Sequence, residues 1–182
     1  MTFAWTPHRF AGGALALDVA NSVILRFDPE RSIDRFAKPD QLEAFFKAAK
    51  EFSAERDLLG ELQPVPARNQ GAFLTLRETI DRYFRARVLG NDAHGLLADF
   101  LEATAAILRS ADRGSLEAAT AHSALRLLAD EEISRLKICG NCGWLFIDRS
   151  KNRSRTWCDM TVCGNRVKAN RHYHRRKKEA AS

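Results

Sequence analysis

Four cysteines, Cys139, Cys142, Cys158 and Cys163, are the only ones in the 182-residue chain, and they read Cys-x2-Cys, fifteen intervening residues, then Cys-x4-Cys. Each close pair supplies two sulfurs from one turn, and the residues between bring the pairs together, which is what tetrahedral zinc requires. With four thiolates as ligands no position is left for water or substrate, so one zinc ion here is expected to be structural rather than catalytic. A disulfide framework is the competing chemistry, and it needs an oxidising compartment. The first ten residues include Trp5, Pro7, His8 and Arg9 in place of an apolar leader stretch, so a cytoplasmic zinc protein is expected.

Charge marks the same end of the chain. Of 29 Lys and Arg residues eleven lie between Arg149 and Lys178, against one of the 23 Asp and Glu, Asp159. A mildly acidic body thus carries a strongly basic tail, the asymmetry of a module that binds a polyanion. The candidate phosphate contacts are Arg149, Lys151, Arg153 and Arg155 in one loop, with Lys168, Arg171, Arg175, Arg176 and Lys178 further on. Asn165 or Arg166 could read base edges, since Asn suits adenine and Arg guanine; alternatively they balance the charge of a zinc–thiolate centre. His172 and His174 are alternative zinc ligands that a four-cysteine set does not need. DNA is the first partner this pattern suggests. RNA or a protein is the second, reached through Trp144, Phe146 and Trp157.

Elsewhere the chain is poor in catalytic signatures. It has no P-loop, no Gly-x-Ser-x-Gly, no His-Glu-x-x-His and no dinucleotide fingerprint, and no enzyme activity is expected. Asp18 and Asn21, three apart, would share a helical face and could form a small polar pocket, though such pairs more often cap or anchor a turn. Arg77, among Phe73, Leu76 and Ile80, could reach an anionic ligand or simply snorkel to water. The most apolar stretch, Ala11 to Leu25, is interrupted by Asp18, Asn21 and Ser22, so no membrane span is expected.

The elements that must position these residues are mostly helical. Residues 13–27 predict an extended run passing into a helix. Pro39 with Leu42, Phe45, Phe46, Ala49 and Phe52 predicts an amphipathic helix over 39–52, and a short helical piece follows around Arg56 to Leu62. Pro64 and Pro66 interrupt the pattern. Two long helices follow, from Ala72 to Gly90 and from Leu96 to about Asp112, and Ser115 caps a further one. A multihelical domain over 1–130 and a zinc finger over 131–182 are expected, with Asp130 to Ile138 as the hinge. Within the finger, a strand over Trp144–Ile147 returns through Arg155–Trp157 as a β-hairpin with the first cysteine pair at its base. A basic helix then follows Cys163, in a treble-clef-like order.

Together, Cys-x2-Cys, Leu145-Phe146-Ile147-Asp148, the Ser150–Ser154 stretch, Trp157-Cys158-Asp159-Met160 and Cys163-Gly164-Asn165-Arg166 resemble the CGNR zinc-finger family. In those bacterial proteins the finger follows a mostly helical ABATE domain with a Leu-Asp-Phe-x-Asn-Thr motif. Leu17-Asp18-Val19-Ala20-Asn21-Ser22 is similar to it, with Val for Phe and Ser for Thr. The resemblance covers essentially the whole chain. It implies a stress-responsive transcription regulator that binds DNA, with the helical domain left as a ligand sensor or assembly module.

Overall fold

The computed structural model describes residues 3–91 and 93–179; residues 1, 2, 92 and 180–182 fall outside that description, as do the side chains at 132, 178 and 179. Helix α1 (Leu15–Ala20) lies at the centre, and each of its six residues is buried. So short a helix cannot satisfy its own first N–H groups, and other segments do so. The Leu15 N–H donates to Glu55 Oε2 at 2.7 Å and the Ala16 N–H to Ser123 Oγ at 2.9 Å. Strand β1 (Val23–Ile24) then pairs antiparallel with β2 (Ile33–Asp34). The order predicted for 13–27 is therefore reversed, helix first and strand second. A helix buried all round is apolar at nearly every position, so the alternation of Leu15, Leu17 and Val19 says nothing about a strand.

Helix α2 (Pro39–Phe52) occupies the predicted span and turns Leu42, Phe45, Ala48 and Ala49 inward. Phe45 meets Trp5, Phe10 and Phe36 in an aromatic cluster that ties the N-terminal segment to the body. The proline segment opens on a short parallel bridge, where Gln63 N–H donates to Gly114 O and Leu116 N–H to Gln63 O. Helices α3 (Gln70–Val88) and α4 (His94–Ser110) pack along each other through Tyr83, Phe84 and Phe100. Helix α5 (Leu116–Ala129) begins as predicted at Ser115, whose Oγ accepts from the Ala118 N–H.

The last segments correct the expected hairpin. Strand β4 (Leu145–Ile147) pairs with β3 (Leu136–Ile138), the stretch read as a hinge, and not with Arg155–Trp157. The carbonyls of Arg153 and Arg155 are taken by the Lys137 ammonium, which removes them from any strand ladder. Alternation along β4 sends Leu145 and Ile147 into the helical core with Leu136, while Trp144 and Phe146 join the four cysteines in a second apolar cluster. Helix α6 (Asn165–Glu179) follows. Among the described residues no helix is long and apolar enough to cross a membrane.

Candidate metal centre and basic surface

The β3–β4 hairpin carries the first cysteine pair at its tip. Cys139 N–H donates to Trp144 O at 2.8 Å, and Gly143 N–H to Cys139 O at 2.9 Å, closing a tight knuckle around Cys142. The left-handed residue of this knuckle is Gly143, at φ 75°, rather than Gly140 or Asn141. Gly140 is needed for a different reason: a Cβ there would sit 2.9 Å from the Trp157 ring.

The second pair is set by a turn of π-helix, Met160–Gly164, that holds Cys163 and runs directly into α6. Asp159 caps it, its Oδ1 accepting from the Thr161 and Val162 N–H groups. All four sulfurs are buried and lie within 4.8 Å of one another, with Cys142–Cys158 and Cys158–Cys163 both at 3.7 Å. Sulfurs ~2.3 Å from a tetrahedral zinc would stand roughly 3.8 Å apart, so the donor set fits the metal in chemistry and in spacing. Crowding splits the four acidities: hydrogen bonds among the sulfurs lower Cys139 to about 6 and lower Cys163 further, and they raise Cys142 and Cys158. The site is positioned to bind one zinc ion through Cys139, Cys142, Cys158 and Cys163. When bound, the metal would draw all four thiols into the thiolate form and cross-link knuckle to helix.

A fifth residue, His8, reaches the centre from the N-terminal segment. Its Nδ1 lies 2.9 Å from Asp159 Oδ2 and its ring packs on Trp144. A hydrogen bond with the Cys163 sulfur, then the Asp159 carboxylate, raise its pKa against the effect of burial. Nothing in the spacing of the sequence pointed to His8, 151 positions from its carboxylate partner. His172 and His174 are exposed on α6.

Asp148, fully buried, organises the basic loop. Desolvation opposes its ionisation, but the Lys137 ammonium at 2.8 Å, the Ser150 hydroxyl and N–H, and the Arg155 N–H outweigh it and hold the carboxyl well below the usual range. On this support Arg149, Lys151 and Arg153 are exposed. Arg155 is not: half-buried, it lies over the Phe146 ring and donates to the Cys158 carbonyl, so it braces the finger from within.

On α6, Arg166, Lys168, Arg171, Arg175 and Arg176 are exposed, and the helix packs chiefly against the π turn that precedes it. The Lys178 side chain lies outside the described residues. Asn165 is exposed as well, its Nδ2 donating to Thr161 O at 2.9 Å. Gly164 is packed under Met160 and Trp157, and a Cβ in its place would lie 3.1 Å from the Met160 methyl.

The three residues considered for a ligand pocket are each engaged by internal partners. Asp18 accepts from the Gly12 N–H at 3.0 Å and the Ser53 hydroxyl at 3.2 Å, and burial raises its pKa well above the usual range. Asn21 grips the finger: its Nδ2 donates to Leu145 O at 2.9 Å and its Oδ1 accepts from Leu145 N–H at 3.0 Å. Arg77 is buried and forms a two-pronged pair with Asp34, at 2.7 and 2.8 Å, so it neither snorkels nor faces a vacant pocket.

Comparison with curated proteins gives no match. Two family models do match, the CGNR zinc finger over residues 135–176 and a second, described as "Putative stress-induced transcription regulator", over residues 13–132. Since the second takes in more than half of the chain and the first covers the cysteine centre, the protein belongs to the ABATE family and carries a CGNR zinc finger.

Proposed function

We propose that the protein is a transcription regulator that binds duplex DNA through the zinc-supported basic surface, with the helical body serving as sensor or assembly module. The observation that carries this reading is α6. It is a helix of fifteen residues with exposed cations around it, and among its described side chains none is buried and only Val167 is half-buried. A helix of this length is marginal in water, and an amphipathic core face is what normally stabilises one. A polyanion that accepts Arg and Lys along the helix supplies the missing partner. The exposed loop cations Arg149, Lys151 and Arg153 extend the same basic segment, while Asn165 and Arg166 at the start of α6 are the side chains suited to base edges.

Zinc dependence follows from the same construction, because the π turn that launches α6 holds one of the four ligands. The protein-binding alternative loses its main support: Trp144 and Phe146 are buried around the cysteines and Trp157 packs there too. Selection of the zinc-loaded protein against a random duplex pool at near-physiological salt tests the reading. Enrichment of a defined motif is the expected result; binding without enrichment would reduce the surface to a phosphate-holding module, and absence of binding would refute it.

A further inference from the structure

Two arginines from distant parts of the chain, Arg9 and Arg35, converge on one aromatic ring without an acidic partner. Arg9 and Arg35 both lie against the ring of Phe3, with their guanidinium carbons 4.5 and 4.2 Å from its centroid. Phe3 is itself fixed edge-on to Trp5, which is anchored to Phe45 and to the Gln41 carbonyl. The neighbouring residue His8 is tied to Asp159, the cap of the turn that leads into α6, and this joins the segment that carries Arg9 to the finger. The charges repel: burial, then Arg35 and Arg166, lower the pKa of Arg9, and burial lowers that of Arg35.

Asp34, next to Arg35 in the chain, is already engaged by Arg77, and Asp159 by His8. Among the described residues no carboxylate pairs with Arg9, Arg35 or Arg166, and the Nε atoms of Arg9 and Arg35 are buried with no hydrogen-bond partner. Cations gathered in this way are costly unless an anion joins them, and guanidinium forks match the oxygens of phosphate.

We infer that Arg9 and Arg35 form a phosphate site, and that its occupant is a backbone phosphodiester of the duplex engaged by α6. The inference rests on the DNA-binding reading for its occupant, though not for the site. It enlarges the contact surface from the finger to the N-terminal segment and the segment after β2, so that body and finger grip one duplex together. Phe3 keeps the two forks stacked and oriented, and a phosphate held there fixes the register of α6 without reading sequence.

The test compares the zinc-loaded, full-length protein with R9Q/R35Q, which removes repulsion and is expected to fold and to retain zinc. Inorganic phosphate should raise the melting temperature of the wild type and not that of the variant. Duplex affinity, followed by fluorescence anisotropy over a salt series, should fall about tenfold in the variant, and the salt slope should become shallower by about 1. R9K/R35K, which keeps charge but loses the fork, should lie between. Phosphate acting equally on both proteins, or on neither, overturns the site. A phosphate response confined to the wild type with unchanged duplex binding overturns the backbone assignment and points to a free or small-molecule phosphate. A wild type that answers to phosphate but binds no duplex refutes the DNA reading and leaves the phosphate site standing.

Discussion

Two buried carboxylates in this protein behave oppositely, and their surroundings explain why. Asp148 is surrounded by donors, so its folded-state pKa lies below its unfolded value. Its stabilisation is complete above the usual carboxyl range and is lost as pH falls through the folded value. Asp148→Asn should cost about 2–3 kcal/mol at neutral pH by chemical denaturation, the low end for breaking a buried pair because Lys137 is partly exposed. The acid limb of the stability profile should flatten with it. Asp18 has only the Gly12 N–H and the Ser53 hydroxyl against full burial, and its pKa is raised. Its sign is reversed: the folded state holds the proton more tightly, so stability declines as pH rises from the usual carboxyl range toward the raised value. Asp18→Asn, which can still accept from Gly12, should therefore stay within about 1 kcal/mol of wild type at pH 7 and remove that decline, as a pH series of melting curves would show.

At the scale of elements, the junction between α1 and β4 decides how the finger is held. Asn21 satisfies both backbone groups of Leu145, a buried position where water cannot substitute. Asn21→Ala leaves an N–H and a C=O unpaired and should cost about 2–4 kcal/mol, with faster amide exchange at Leu145 as the local readout. Zinc removal should act elsewhere. The knuckle, the 148–158 loop and the π turn depend on the sulfur centre, whereas Leu136, Leu145 and Ile147 belong to the helical core. Chelation, or Cys158→Ser, is expected to release exchange protection from 139–143 and 148–165 while α2 to α5 and the base of the hairpin keep theirs.

For the whole molecule, the finger and the body share a core, and of the α-helices described α6 alone stands clear of it. Free α6 should therefore exchange its amides faster than any other long helix, and duplex binding should slow that exchange selectively. Slow exchange in the free protein would mean that α6 has support within the chain and that its cations need no polyanion to hold them.

Features that depend on spacing along the chain are legible in its residues. Cys-x2-Cys and Cys-x4-Cys specify the ligand set, Pro39 and the stripe behind it specify α2, and Ser115 specifies the start of α5, because each of these is a local relation between a side chain and its neighbouring turns. Relations between distant segments needed the tertiary structure. It decided that β4 pairs with the supposed hinge, since strand partners are chosen by which backbone groups are left unclaimed and Lys137 had claimed those of the 153–155 loop. It decided that Asp18, Asn21 and Arg77 are internal ties, since burial brings partners from positions 12, 145 and 34 that no periodicity connects to them. The meeting of Arg9 and Arg35 is of the same kind: in the sequence they are two ordinary basic residues, and only the packing of Phe3 brings their charges together.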